Sequence, residues 1–143
     1  PAGLPQWKVI NFMSNFKSLG SWFFAIFFFY AGLMHFVQEE SFVGIIPPSI
    51  PFPKIIVWIT GLMELVFSIL LIIPRYRKLA GLLLAPFLLA VLPANIHMAL
   101  NNIPFGEMSA TPTTLWLRVA LQFPLIVSIL WVTGNLSKSY KSN

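Results

Sequence analysis

The sequence predicts an all-α fold, a four-helix transmembrane bundle preceded by an N-terminal interfacial helix. Of the 143 residues, 57% are hydrophobic and only 9% are charged, whereas a soluble domain carries about 25% charged residues. The mean hydropathy is +0.81. Four apolar segments each approach the ~20 residues that cross a ~30 Å hydrocarbon core as a helix. Most Lys and Arg residues lie outside these segments or at their ends, which is typical of membrane topology rather than of nucleic-acid binding.

The N-terminal segment, residues 1–19, has the pattern of an amphipathic helix. Its apolar residues recur at helical spacing, at Val9, Phe12, Met13, Phe16 and Leu19. Polar residues fall on the opposite arc, at Lys8, Asn11, Asn15 and Ser18. This pattern predicts a short helix lying on the membrane surface. The alternative is that the segment is only a polar beginning of the first span.

Residues 20–136 form the predicted membrane domain, and residues 137–143 a polar cytoplasmic tail. The spans are predicted at residues 20–38, 54–74, 78–100 and 114–133. Prolines 86, 93 and 124 lie inside the last two spans, where neighbouring helices satisfy the backbone groups that a kink frees. In the first span, the side with Ala25, Gly32 and His35 is predicted to face the bundle.

The first outer loop, residues 39–53, contains four prolines between positions 47 and 53. Prolines remove helical hydrogen bonds and stiffen the chain, so this loop is predicted to form no regular helix. We expect a rigid connector packed against the outer end of the bundle. The functional alternative is a lid over a cavity.

The distribution of cations predicts the orientation. Seven Lys and Arg residues lie on the side of both termini, at Lys8, Lys17, Arg75, Arg77, Lys78, Lys138 and Lys141. The other side has only Lys54 and Arg118, with three glutamates. Because cytoplasmic loops are enriched in cations, both termini are predicted to be cytoplasmic in a multi-pass protein of the bacterial cytoplasmic membrane.

The strongly polar residues inside the spans lie at the midplane or in the outer half. We predict one intramembrane polar cluster, formed by His35, Glu64, Asn95, Arg118 and Gln122. Further contributors are expected at Thr60, Ser68 and His97. Asn95 is predicted to face inward. His97 is about 200° away around the same helix, so it is predicted to look sideways or towards the loop.

Glu64 is the most costly of these residues to place in a membrane, because insertion scales give about 2.5–3.5 kcal/mol for an ionisable side chain near the centre of a span. A hydrogen bond to arginine, about 1.5–3 kcal/mol, would nearly offset that cost. Glu64 is therefore predicted to contact at least one of His35, Asn95, Arg118 or Gln122, with Arg118 as the preferred partner, and a protonated Glu64 is the alternative. Gly61, one turn earlier, allows another helix to approach closely. The cluster is either a functional site or a clasp that sets helix register.

Several segments in order resemble the DoxX-like family of small four-helix membrane proteins: "YAGLMHF", "PPSIPFP", "TGLMELVFSILLIIPRYRKLAG", "PANIHMAL" and "LWLRVALQFPLI". The resemblance covers residues 24–131. Its matching positions are His35, the loop prolines, Gly61, Glu64, Pro74, Arg75 or Arg77, Asn95, Arg118 and Gln122. It implies a bundle in the bacterial cytoplasmic membrane. Some members are small subunits of oxidoreductase systems, including thiosulfate:quinone oxidation.

The residue inventory argues against independent catalysis. The chain has no cysteine and no aspartate, so thiol redox motifs and a Ser–His–Asp triad are excluded. No metal site and no cofactor are predicted, although a quinone or lipid is a candidate ligand. Three function classes remain: an accessory or anchoring subunit of a membrane redox or respiratory system, a module that binds a quinone, lipid or small amphiphile, and, less favoured, a proton-coupled transporter. The expected partners are membrane lipid and other membrane subunits, not nucleic acid.

Overall fold

The computed structural model describes residues 3–107 and 110–137, and within them it contains five helices and no strand. The helices are α1 (Gln6–Val37), α2 (Glu39–Ile45), α3 (Pro53–Ile72), α4 (Arg77–Leu100) and α5 (Pro112–Val132), with a 3₁₀ turn at Pro74–Tyr76. α1, α3, α5 and the segment Pro74–Leu100 are each long and apolar enough to cross a membrane. The predicted all-α, four-span class is confirmed. Of the predicted tail, residues 138–143 lie outside the described residues.

The N-terminal segment is helical, but it is not separate from the first span. α1 runs without a break for 32 residues, past the boundary predicted at residue 19. Its length is about 48 Å at 1.5 Å per residue, compared with a hydrocarbon core of about 30 Å. No proline follows Pro5 within α1. Since extending a helix costs far less than nucleating a second one, the two predicted helices form one.

The prediction of no regular helix in residues 39–53 is wrong for the first half of that loop. α2 occupies Glu39–Ile45, and only the part from Ile46 to Phe52 is non-helical. All the prolines of the loop come after α2, so none of them interrupts it. Glu39 and Glu40 lie in its first turn, where carboxylates interact favourably with the helix dipole.

Helix packing divides the bundle into two close pairs, α1 with α3 and α4 with α5. The buried face of α1 is a stripe at helical spacing: Ser21, Phe24, Ala25, Phe28, Gly32 and His35. The predicted inward side of the first span is therefore confirmed. In the seam between α1 and α3, a Cβ atom built on Gly32 would lie 2.9 Å from the carbonyl oxygen of Gly61. The seam is close enough that only glycine fits there.

The two ends of the bundle differ in how α1 and α5 meet. At the end of the termini, the rings of Phe16 and Trp131 are 5.7 Å apart, and Val132 packs against Gly20. The other end, called the α2 end below, holds α2 and residues 101–107, 110 and 111. Here a cleft separates α1 from Arg118 of α5. The large apolar core, which includes Phe28, Leu71, Leu84 and Ile129, is distinct from a smaller cluster around Met98 and Leu115 near the α2 end.

Candidate functional site

Glu64 faces the bundle interior and meets His35. Its Oε2 atom lies 3.2 Å from Nδ1 of His35, and both side chains are about 10% exposed. The close packing of α1 on α3 produces this contact. A Cβ atom at Gly61 would lie only 2.6 Å from Cβ of His35, so the absence of a side chain at Gly61 makes room for the histidine. The glycine one turn before Glu64 thus brings the two side chains together.

The His35 ring is oriented by its own helix. Nδ1 lies 2.8 Å from the carbonyl oxygen of Ala31. Because Nδ1 faces two oxygen atoms, the proton of the neutral ring belongs on Nδ1, and it is donated to the Ala31 carbonyl. Glu64 Oε2 then makes no hydrogen bond to any residue of the described ranges, although it is fully buried. The remaining ring nitrogen of His35, Nε2, carries a lone pair.

Two aromatic side chains extend this pair towards α5. The Phe42 ring, from α2, stacks on the His35 ring with centroids 3.8 Å apart and an interplanar angle of 22°. Phe105 meets Phe42 edge to face at 4.7 Å. The Arg118 guanidinium lies 5.4 Å from the centre of the Phe105 ring, within the range of a cation–π interaction. Glu64 and Arg118 therefore lie at opposite ends of a column of three rings, called the aromatic column.

Glu64 contacts one of its four predicted partners, His35, but the preferred pairing with Arg118 is wrong. Within residues 3–107 and 110–137, the contacts between acidic and basic side chains are the His35–Glu64 contact and the Lys54–Glu39 ion pair. Arg118 is exposed, and its guanidinium lies over Phe105. The rings of the aromatic column fill the space between the Glu64 and Arg118 side chains.

Asn95 and Gln122 form a second, separate polar pair. Asn95 Nδ2 donates to Gln122 Oε1 at 3.0 Å, and Gln122 Nε2 donates to the carbonyl of Leu88. Asn95 thus faces inward, as predicted. In the described part of the chain, no hydrogen bond joins this pair to Glu64. The single predicted cluster is instead two polar pairs and an isolated arginine.

The three predicted contributors take no part in either pair. Thr60 donates its hydroxyl to the carbonyl one turn earlier in α3 at 2.8 Å, and Ser68 likewise donates to an α3 carbonyl at 2.7 Å. His97 Nδ1 lies 3.0 Å from Asn101 Nδ2 at the end of α4. Hydroxyls in membrane helices commonly satisfy themselves on their own backbone in this way.

A cleft of about 950 Å³ lies between α1 and α5 at the α2 end. The α1 wall is formed by Phe27, Tyr30, Ala31, Met34 and Val37, and residues 38–42, 105–107 and Arg118 complete it. A smaller cavity of about 250 Å³ lies on α5, lined by Met98, Leu115 and Leu121. Phe105 and Arg118 line both spaces, so they form the partition between the two cavities.

The α2 helix is tied to α3 at its first residue. Glu39 accepts a hydrogen bond from Trp58 Nε1 at 2.6 Å and pairs with Lys54 Nζ at 2.9 Å. The Lys54 ammonium, together with the Trp58 N–H, holds the pKa of Glu39 below its usual range. α2 is thereby anchored at one end while its Phe42 covers His35.

Sequence reasoning missed Phe42 and Phe105. Both lie outside the predicted spans, and no spacing pattern relates them to His35 or Arg118. The available signal was the apolar character of residues 39–53, which led to the alternative of a lid. No three His, Cys, Asp or Glu side chains in the described ranges are grouped to hold a metal ion.

Comparison with known proteins identifies the family of this chain. A model described as Domain of unknown function (DUF8561) matches residues 24–133. The chain belongs to this family. The match includes α3, α4 and α5 entirely and all four members of the two polar pairs. No curated protein and no solved structure matches the chain. The resemblance to the DoxX-like family stays a prediction.

Proposed function

We propose that this membrane protein is a binding module that takes a quinone, a lipid or another small amphiphile into the cleft between α1 and α5. The observation that carries the proposal is the cleft itself, about 950 Å³ in volume. Cavities that hold small ligands are about 300–1,000 Å³ and mostly apolar, with a few polar groups. This cleft combines an apolar α1 wall with Arg118 and the polar residues of α2.

The position of the cleft suits a ligand that arrives from the membrane. Phe27 and Tyr30 are on its wall and are also exposed on the surface of the bundle. α1 and α5 pack together at the end of the termini, so the cleft lies towards the α2 end. An amphiphile would place its apolar chain along Phe27 and Met34 and its polar group towards α2.

Ala31→Phe tests the proposal. A phenylalanine on the cleft wall would occupy the space of the ligand, so we expect it to weaken binding of a decyl-substituted benzohydroquinone by at least about tenfold. Native mass spectrometry of detergent-released protein measures the bound fraction. Ala90→Phe is the matched control, because Ala90 is exposed on α4 away from the cleft, and it should bind like the wild type. Equal binding by both variants would contradict the proposal.

A second candidate function is that of an accessory or anchoring subunit of a membrane redox or respiratory system. Besides the family resemblance, it is supported by the uncovered aromatic face of α1, with Trp22, Phe23, Phe29 and Phe36 between 44% and 64% exposed. Such a face suits other membrane subunits as partners, but lipid also covers faces of this kind. Co-purification that is lost in Phe23→Ala and Phe29→Ala would support a partner.

A proton-coupled transporter is less favoured. The core between the His35–Glu64 pair and the end of the termini is mostly apolar, with Phe28, Leu71 and Leu84 buried there. Its buried polar side chains are the separate hydroxyls of Ser21, Ser68 and Thr133. A continuous chain of polar groups, such as a proton relay requires, is not present among the described residues of this half.

We also propose that the protein lies in the bacterial cytoplasmic membrane with both termini in the cytoplasm. The seven-to-two distribution of cations supports this orientation. A reporter that is active only in the cytoplasm should be active when fused after Asn143 and inactive when inserted in residues 101–113. Activity of the loop fusion, with loss of activity at Asn143, would reverse the orientation.

A further inference from the structure

We propose that His35 and Glu64 are the headgroup subsite of this cleft, and that they select an amphiphile whose small, uncharged headgroup donates a hydrogen bond. Phenols, hydroquinols and long-chain alcohols belong to this class. The inference rests on the proposed function, and it adds the chemical class of the ligand and the side chain that controls access.

The hydrogen-bonding state of the His35–Glu64 pair defines the class of headgroup that fits the subsite. The Nδ1 proton of His35 is donated to the Ala31 carbonyl, and Glu64 Oε2 has no hydrogen-bond donor within the described ranges. What the pair offers is therefore a carboxylate oxygen and the lone pair of His35 Nε2, both acceptors. A buried acceptor without a donor is unfavourable, and a donor headgroup would satisfy it. A quinone in its oxidised form has only acceptors and would not.

The depth of the pair restricts the headgroup further. Glu64 lies about 16 Å along α3 from its first residue, at about 1.5 Å per residue. The carboxyl group thus lies in the apolar part of α3, and both side chains of the pair are about 10% exposed. Carrying a phosphate or an ammonium group to that depth is costly, whereas a hydroxyl group loses much less hydration. Phospholipid headgroups therefore do not fit the subsite.

Phe42 controls the connection between the cleft and the pair. Ala31, whose carbonyl orients His35, lines the cleft, but His35 and Glu64 do not. Phe42 contacts both the pair and the cleft. Its ring stacks on His35 with centroids 3.8 Å apart, and it forms part of the cleft wall. A rotation of the Phe42 side chain would expose the pair to the cleft while Glu39 keeps α2 attached to α3. A ligand hydroxyl would then replace the stacked ring.

The test compares two ligands that differ only in the donor, 4-nonylphenol and its methyl ether. We expect the wild type to bind the phenol at least about tenfold more tightly, since satisfying a buried acceptor that otherwise has no donor accounts for a difference of that size. In Glu64→Met, which has a similar volume and no acceptor oxygen, the two ligands should bind within about threefold of each other. Glu64→Gln, a neutral acceptor, should be intermediate.

Leu62→Met is the matched control, because Leu62 is exposed on α3 and does not line the cleft, and it should keep the full preference. Melting temperatures establish that each variant is folded. Phe42→Ala should raise the affinity for the phenol more than that for the ether. If Phe42→Ala weakens both ligands equally, Phe42 is a wall of the binding site rather than its cover, and that part of the inference is overturned.

The outcomes separate the two proposals. If the wild type binds the phenol and the ether equally, the subsite is overturned while the cleft still stands. If neither compound binds, or if Ala31→Phe binds both as well as the wild type does, the cleft proposal itself is overturned. The wild-type comparison needs no variant, so the inference stays testable even if substitutions at Glu64 prevent folding.

Discussion

Gly61→Ala is expected to lower the free energy of unfolding by about 1–3 kcal/mol, the usual cost of forcing extra atoms into a packed interface. In an ordinary helix the same change is stabilising by about 0.8–1 kcal/mol. Here the new Cβ atom would lie 2.6 Å from Cβ of His35 and 3.2 Å from the carbonyl oxygen of Gly32. Neither neighbour is the end of a flexible side chain, so α1 must move away from α3.

Thermal unfolding in detergent, followed by tryptophan fluorescence, measures the effect. Gly44→Ala is the control, because Gly44 is a helical glycine of α2 with nothing within 4 Å of an added Cβ atom. It should leave the melting temperature unchanged or raise it slightly. If Gly61→Ala behaves like Gly44→Ala, the α1–α3 seam is wider than the structure has it.

Gln122→Leu is the second change with a large expected effect, a loss of about 1–3 kcal/mol. The Gln122 side chain, 5% exposed, accepts from Asn95 and donates to the Leu88 carbonyl, so it ties α5 to α4 through two hydrogen bonds. Its removal leaves the Asn95 amide without its acceptor near the bundle interior. The cost comes mainly from that unsatisfied group, because the added leucine atoms are themselves compatible with an apolar environment.

A double-mutant cycle distinguishes this account from a simple packing defect. Asn95→Leu together with Gln122→Leu removes both partners, so we expect a loss smaller than the sum of the two single losses. Chemical or thermal unfolding of the four proteins in one detergent gives the coupling energy. Strict additivity would mean that the Asn95–Gln122 hydrogen bond contributes nothing to stability.

Local patterns were sufficient for the parts of the fold that depend on length and hydropathy. The four spans follow from run lengths that match a hydrocarbon core. The inward face of α1 follows from Ala25, Gly32 and His35, since small residues allow close helix approach and an ionisable side chain is costly against lipid. The burial of Glu64 follows from the cost of exposing a carboxylate to lipid.

Helix boundaries were less predictable, because they depend on cooperativity rather than on composition. A change from an amphipathic to an apolar pattern near residue 19 does not end a helix, and α1 continues through it. Likewise, the prolines from position 47 onwards have no effect on α2, which ends before them. Composition averaged over the loop concealed the helix.

The partner of Glu64 was decided by tertiary structure alone. Sequence position gives the depth of a side chain, and by depth Arg118 and His35 were both candidates. Which of them meets Glu64 depends on which helices are neighbours and on how closely they pack, and Gly32 and Gly61 bring α1 against α3. Phe42 and Phe105 then come from two separate connections to fill the space before Arg118. Such a contact between loops distant in sequence leaves no periodic pattern in the chain, so only the folded arrangement reveals it.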